Sequence, residues 1–158
     1  MFRFQKDHRK WFKNIRGELN YDFDAFYMCF VAGVATNKKI DYDNSSDSDL
    51  IDYFPGEYTK TSKLIISLFL VAESLSLGIN ISKKNEAIQH LNTFIDPDTQ
   101  SRLSRDGYKS INQYAAGGYE VITNELQQPF KLGIFLTFYH DMIDKKFSEN
   151  KLFNSLNN

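Results

Sequence analysis

The residues best equipped for chemistry lie late in the chain, in Tyr139-His140-Asp141 with Asp144 four positions after the histidine. One helical turn sets His140 beside Asp144. That pair is half of a metal site or a general-base couple, and equally a solvated surface pair, because two ligands do not close a metal site. His8 and His90 have no carboxylate cluster beside them in sequence. The lone cysteine, Cys29, sits in Phe26-Tyr27-Met28-Cys29-Phe30 and reads as a small buried hydrophobe before a nucleophile. Asp96 and Asp98 flank a proline, with no strand-borne acid–lysine pair following them of the kind a metal-dependent nuclease uses. Phosphate-loop, dinucleotide, zincin and nucleophile-elbow motifs are all missing. The expectation is a domain without catalytic residues, metal or cofactor. A small metal-dependent enzyme or toxin centred on His140, Asp141 and Asp144 is the competing reading.

Two blocks of opposite charge offer surface chemistry instead. Residues 1–16 carry Arg3, Lys6, Arg9, Lys10, Lys13 and Arg16 against one acid, Asp7, and residues 41–58 carry Asp41, Asp43, Asp47, Asp49, Asp52 and Glu57 with no Lys or Arg. The basic set admits three readings: a face that follows a phosphate backbone, a solvated face whose aliphatic stems cover the core, or a face that meets an acidic surface on a partner or a second copy. A net charge of −1 argues against a general nucleic-acid coat. Tyr53, Phe54 and Tyr58, next to Asp49, Asp52 and Glu57, form a candidate partner contact, or fold back over the core.

Helices must position these groups. Phe4, His8, Trp11, Phe12, Ile15 and Leu19 recur at helical spacing, which predicts a basic amphipathic helix over residues 7–19 within an N-terminal segment 1–20, weakened late by Gly17. A second helix starts near Asp22 or Asp24 and runs through an almost wholly apolar stretch to Ala35, where Ala32, Gly33 and Ala35 point to a close backbone neighbour. Residues 37–58 read as one long acidic loop ending in a Pro55-Gly56 turn. Thr59 or Thr61 is placed to cap a third helix that Gly78 terminates, and Ser82 a fourth over 83–95, with Ala87, Ile88, Leu91, Phe94 and Ile95 inward. Ser104 opens a fifth helix to about Leu126, in which Gly117-Gly118 requires tight packing or a bend. Pro129 precedes a sixth to about Phe147, with Phe130, Ile134, Phe135, Phe138, Met142 and Ile143 apolar, and the polar tail 148–158 is expected to fray. The predicted fold is all-α: a single domain over 1–147, a compact bundle of five or six helices with one acidic loop.

The chain has 158 residues, 42% of them apolar and 15% aromatic, enough for one real core. Its single cysteine needs no oxidising compartment. The longest apolar run, Leu64 to Ala72, is about half the length that crosses a bilayer. No membrane association and a cytoplasmic location are expected.

The order of features resembles a known family. An apolar helix (Asp24-Ala25-Phe26-Tyr27-Met28-Cys29-Phe30) precedes a Gly56-Glu57-Tyr58 turn, an apolar helix from Leu64 to Ala72 and a glycine-bearing helix from Ile111 to Ile122. This is similar to the small E component of bacterial DNA phosphorothioation systems and, more loosely, to small accessory subunits of bacterial anti-phage operons. The similarity spans residues 22–126, and Gly56-Glu57-Tyr58 is its one shared short motif. It implies an all-helical, oligomeric, non-catalytic protein that associates with DNA and partner proteins; no active-site residue carries over. Against that pattern this chain adds a basic N-terminal helix and a C-terminal helix.

The functional expectation is a non-catalytic accessory or adaptor subunit of a bacterial defence or DNA-modification complex. Protein subunits would dock on Asp49, Asp52, Tyr53, Phe54, Glu57 and Tyr58, and double-stranded DNA on Arg3, Lys6, Arg9, Lys10, Lys13 and Arg16. A free-standing homo-oligomeric DNA-binding protein is the alternative.

Overall fold

The computed structural model describes residues 1–42, 48–79 and 83–150. Among them run β1 (Phe2–Arg3), α1 (Lys6–Trp11), α2 (Asp22–Thr36), β2 (Asp49–Ile51), α3 (Tyr58–Ser76), α4 (Lys84–Leu91), α5 (Arg105–Glu125) and α6 (Leu132–Glu149). The architecture is a mostly α-helical bundle with one small two-stranded sheet. Asp43, Asp47, the predicted Ser82 cap and the tail beyond residue 150 lie outside the described residues.

α2 and α5 form the central pair. α2 is buried on most sides, as its apolar sequence demands, and small residues let α5 approach it closely. A Cβ placed on Gly118 would lie 1.7 Å from the Cys29 carbonyl oxygen, and one on Gly33 would lie 1.9 Å from the Tyr114 carbonyl oxygen. The glycine pair of α5 therefore serves close packing within one continuous helix. Three helix ends are closed by identifiable local devices. Asp24 Oδ2 accepts the Asn20 and Tyr21 backbone N–H groups at 2.8 and 2.9 Å, so Tyr21 holds the cap position of α2 and Asp24 satisfies its donors from inside the first turn. Ser104 caps α5, accepting from Gly107 N at 3.1 Å. Gly78, at φ +64, ends α3: Ile79 N donates to Ser74 O at 2.8 Å and Gly78 N to Leu75 O at 3.2 Å. α3 begins at Tyr58 with Glu57 at its cap position, ahead of both predicted caps. Thr59 lies inside it and donates to Phe54 O at 2.8 Å.

The N-terminal quarter departs most from expectation. α1 ends at Trp11 and residues 12–18 continue as tight turns, with Ile15 N bonded to Phe12 O at 3.1 Å and Glu18 N to Ile15 O at 2.9 Å. Those turns drive both Phe12 and Ile15 into the core, and Gly17 removes any helical preference to resist them. Ahead of α1, β1 pairs antiparallel with β2, Phe2 opposite Ile51 and Arg3 opposite Asp49. The stretch read as an uninterrupted acidic loop thus contains a strand. Phe2 anchors the sheet: fully buried, its ring lies 5.1–5.3 Å from those of Phe23, Phe26, Phe54 and Tyr108.

α6 lies against α2, where Tyr139 Oη donates to Met28 O and Asn150 Nδ2 to Ala35 O, both at 2.8 Å. In α4, Ala87 alone is buried; Leu91, Phe94 and Ile95 are half-buried, and Ile88 is exposed contrary to expectation, because the short α4 touches the bundle with one narrow face.

Candidate interaction surface

The two charge blocks meet within the molecule. Arg3 Nη1 pairs with Asp49 Oδ1 at 2.8 Å, and Arg9 Nη2 donates to Ser48 O and Asp49 O at 3.2 and 2.7 Å. Arg16 makes a two-pronged contact with Asp22 at 2.7 and 2.8 Å. Half of the expected DNA-binding set is therefore engaged with the protein itself. Lys6, Lys10 and Lys13 are exposed and make no ion pair among the described residues. The expected partner contact also divides. Phe54 is buried in the aromatic cluster, and Tyr58 is half-buried, its hydroxyl donating to Asp24 Oδ1 at 2.8 Å. Asp49 belongs to the sheet, while Asp52, Tyr53 and Glu57 remain exposed.

The chemistry-bearing residues stand apart from one another. His140 Nδ1 and Asp144 Oδ2 are 3.3 Å apart, as their spacing predicts, with both side chains more than 70% exposed. No group of three or more His, Cys, Asp or Glu side chains converges on a metal-sized site among the described residues. Cys29 is fully buried, and burial pushes its thiol well above the ordinary range. His90 is exposed, and Asp96 closes a turn by accepting Asp98 N at 3.0 Å.

Buried polar groups that sequence reasoning missed are Glu73 and its neighbours. Glu73, in α3, is 2% exposed; it binds the Lys39 ammonium and accepts Ser110 Oγ at 2.6 Å. Lys39 Nζ lies 4.9 Å from the Tyr114 ring centre. Burial, then the Glu73 charge, raise the Tyr114 hydroxyl above its usual range. A lone acid directly after the apolar run Leu64–Ala72 is the signal that marks this site. The network ties α3, α5 and the segment after α2 together.

His8 stacks on Tyr119 with ring centres 3.8 Å apart. Burial pushes its imidazole down to about 4, against a partial upward pull from Asp7. The unfolded chain then binds a proton the folded chain refuses. Stability is expected to fall as pH drops below about 6.5 and to level off below about 4, a loss of up to about 3 kcal/mol. Urea midpoints at pH 7.5 and 4.5 check this: His8→Phe should remove that part of the pH dependence, and an identical pH profile in both proteins would contradict it.

The surface described includes a charged concavity and an apolar groove. One, of about 890 Å³, is lined among others by Arg3, Asp41, Tyr42, Arg105, Asp106, Tyr108, Lys109 and Asn112. Its walls carry both signs of charge, and Asn112 is already satisfied by Arg3 N, Met1 O and Tyr42 Oη. The other is a groove of about 360 Å³ between the end of α5 and the first half of α6, lined by Leu126, Pro129, Phe130, Ile134 and Phe138. Phe130 is 70% exposed, Phe138 60% and Ile134 42%. The sequence marks them as apolar together with Phe135, Met142 and Ile143, without assigning a buried face. The structure buries Phe135 and Met142 alone, because α2 covers one face of α6 and leaves the other bare. Phe130, Ile134 and Phe138 therefore stand exposed together along this groove.

Comparison with protein-family models, with curated proteins and with solved structures found no match to this chain. Among the described residues, no helix is long and apolar enough to cross a membrane.

Proposed function

We propose that this chain is a non-catalytic accessory subunit that works by protein–protein assembly, with the bare face of α6 as its contact surface. The carrying observation is that Ile134 and Phe138 on α6, with Phe130 just ahead of it, stand exposed along one groove while the other face of the helix is already packed. Exposed aromatics cost solubility unless something covers them, and aromatic anchors in grooves are where binding energy concentrates. The resemblance to accessory subunits of bacterial DNA-modification and anti-phage systems supports a place in such a complex. DNA contact is the weaker part of this reading, since Arg3, Arg9 and Arg16 are already engaged.

Affinity purification of the full chain from its native cells tests the proposal. The wild type is expected to recover defined protein subunits in fixed stoichiometry. The exposed-site variant Ile134→Glu/Phe138→Glu is expected to lose them while keeping its thermal midpoint within about 2 °C, as surface changes do. Equal recovery by both proteins would place the contact elsewhere.

A further inference from the structure

We propose that the α6 face is covered by a second copy of this chain, the two α6 helices running antiparallel across a two-fold axis. The proposal rests on the reading of α6 as an assembly surface and names its occupant.

The stripe is self-complementary. Ile134, Phe138 and Asp141 follow one another at helical spacing along the exposed flank of α6, and Lys131 stands beside the groove at its start. Residue 136 is the midpoint both of Ile134 and Phe138 and of Lys131 and Asp141. A two-fold axis at residue 136 therefore sets Ile134 of each copy against Phe138 of the other. The same operation brings Lys131, at the cap position just before α6, toward Asp141 of the other copy, one such pair at each end of the stripe. Both Lys131 and Asp141 are exposed and make no ion pair among the described residues. Their neighbours differ: Glu125 is held by Lys146, and Asp144 by His140. These two hydrated charges are thus of opposite sign and sit at opposite ends of the apolar stripe. A parallel arrangement would oppose lysine to lysine and aspartate to aspartate, which like-charge repulsion disfavours. The groove walled by Leu126 and Pro129 lies alongside, where Phe138 of the second copy would insert.

Sedimentation equilibrium of the full chain over a wide concentration range tests this. A monomer–dimer equilibrium is expected, and Ile134→Glu/Phe138→Glu should hold the chain monomeric. Lys131→Glu and Asp141→Lys should each weaken dimerisation about tenfold or more, because symmetry repeats each lost pair twice. The double variant Lys131→Glu/Asp141→Lys should return to within about threefold of wild type, a rescue that misfolding cannot produce. A monomer at every concentration overturns the proposal, as does a dimer indifferent to these variants or a double variant no better than the singles. If the chain is monomeric yet Ile134→Glu/Phe138→Glu still loses its subunits in the purification, the second copy falls and the assembly reading stands.

Discussion

Replacing Gly118 with alanine is expected to destabilise the fold by about 3 kcal/mol or more, the upper end for overpacking a core. The added methyl would lie 1.7 Å from the Cys29 carbonyl oxygen and 2.4 Å from Gly33 N. Both are backbone atoms of α2, so no rotamer change relieves the clash. The helices must separate instead, and separation opens the central α2–α5 interface around Phe30, Tyr114 and Ile122. A natural domain holds only about 5–15 kcal/mol in total. Urea unfolding should show a large drop in midpoint for Gly118→Ala. Gly133→Ala is the control. A Cβ there meets nothing within 4 Å, so the midpoint should hold or rise slightly as the unfolded chain loses freedom. Equal stability of Gly118→Ala and wild type would show that α2 and α5 do not pack as described.

Lys39→Met is expected to cost about 3–5 kcal/mol, because it leaves the Glu73 carboxylate buried without its cation. The neutral Ser110 hydroxyl, which donates to that carboxylate, does not replace the lost charge. The reverse change, Glu73→Gln, should cost less, since Lys39 is 27% exposed and can turn its ammonium to water. The double variant Lys39→Met/Glu73→Met should recover most of the loss, as apolar replacement of both members of a buried pair commonly does. Chemical denaturation of the four proteins gives the coupling directly. Independent, additive losses would mean the pair is not interacting.

The bundle was legible where sequence states both its face and its ends. α2 is a long apolar run with an acid in its first turn, α5 opens on Ser104, and α3 stops at Gly78. The sheet was not legible, because strands of two and three residues are too short to show alternation. What fixes them is Phe2, whose burial among four rings is a long-range event. The same holds for the charge blocks: composition identified two opposite clusters, and only the antiparallel pairing of β1 with β2 brings Arg3 to Asp49 within one molecule. For α6, periodicity identified apolar residues without saying which of them a neighbour covers. Phe135 and Phe138 look alike in sequence, yet one is 4% exposed and the other 60%. The candidate site therefore lies where the sequence shows an apolar pattern and the fold covers only part of it.

Thiol labelling in native cells tests the central claim that the α6 face is covered when the protein is at work. Cys29 is fully buried and stays silent, so single introduced cysteines report alone. Ile134→Cys reads the stripe, and Leu64→Cys, at a position 71% exposed on α3, reads open surface. The account predicts that Ile134→Cys labels about tenfold or more slowly in cells than in dilute purified protein, while Leu64→Cys labels at the same rate in both. Equal rates for Ile134→Cys in the two settings would contradict it.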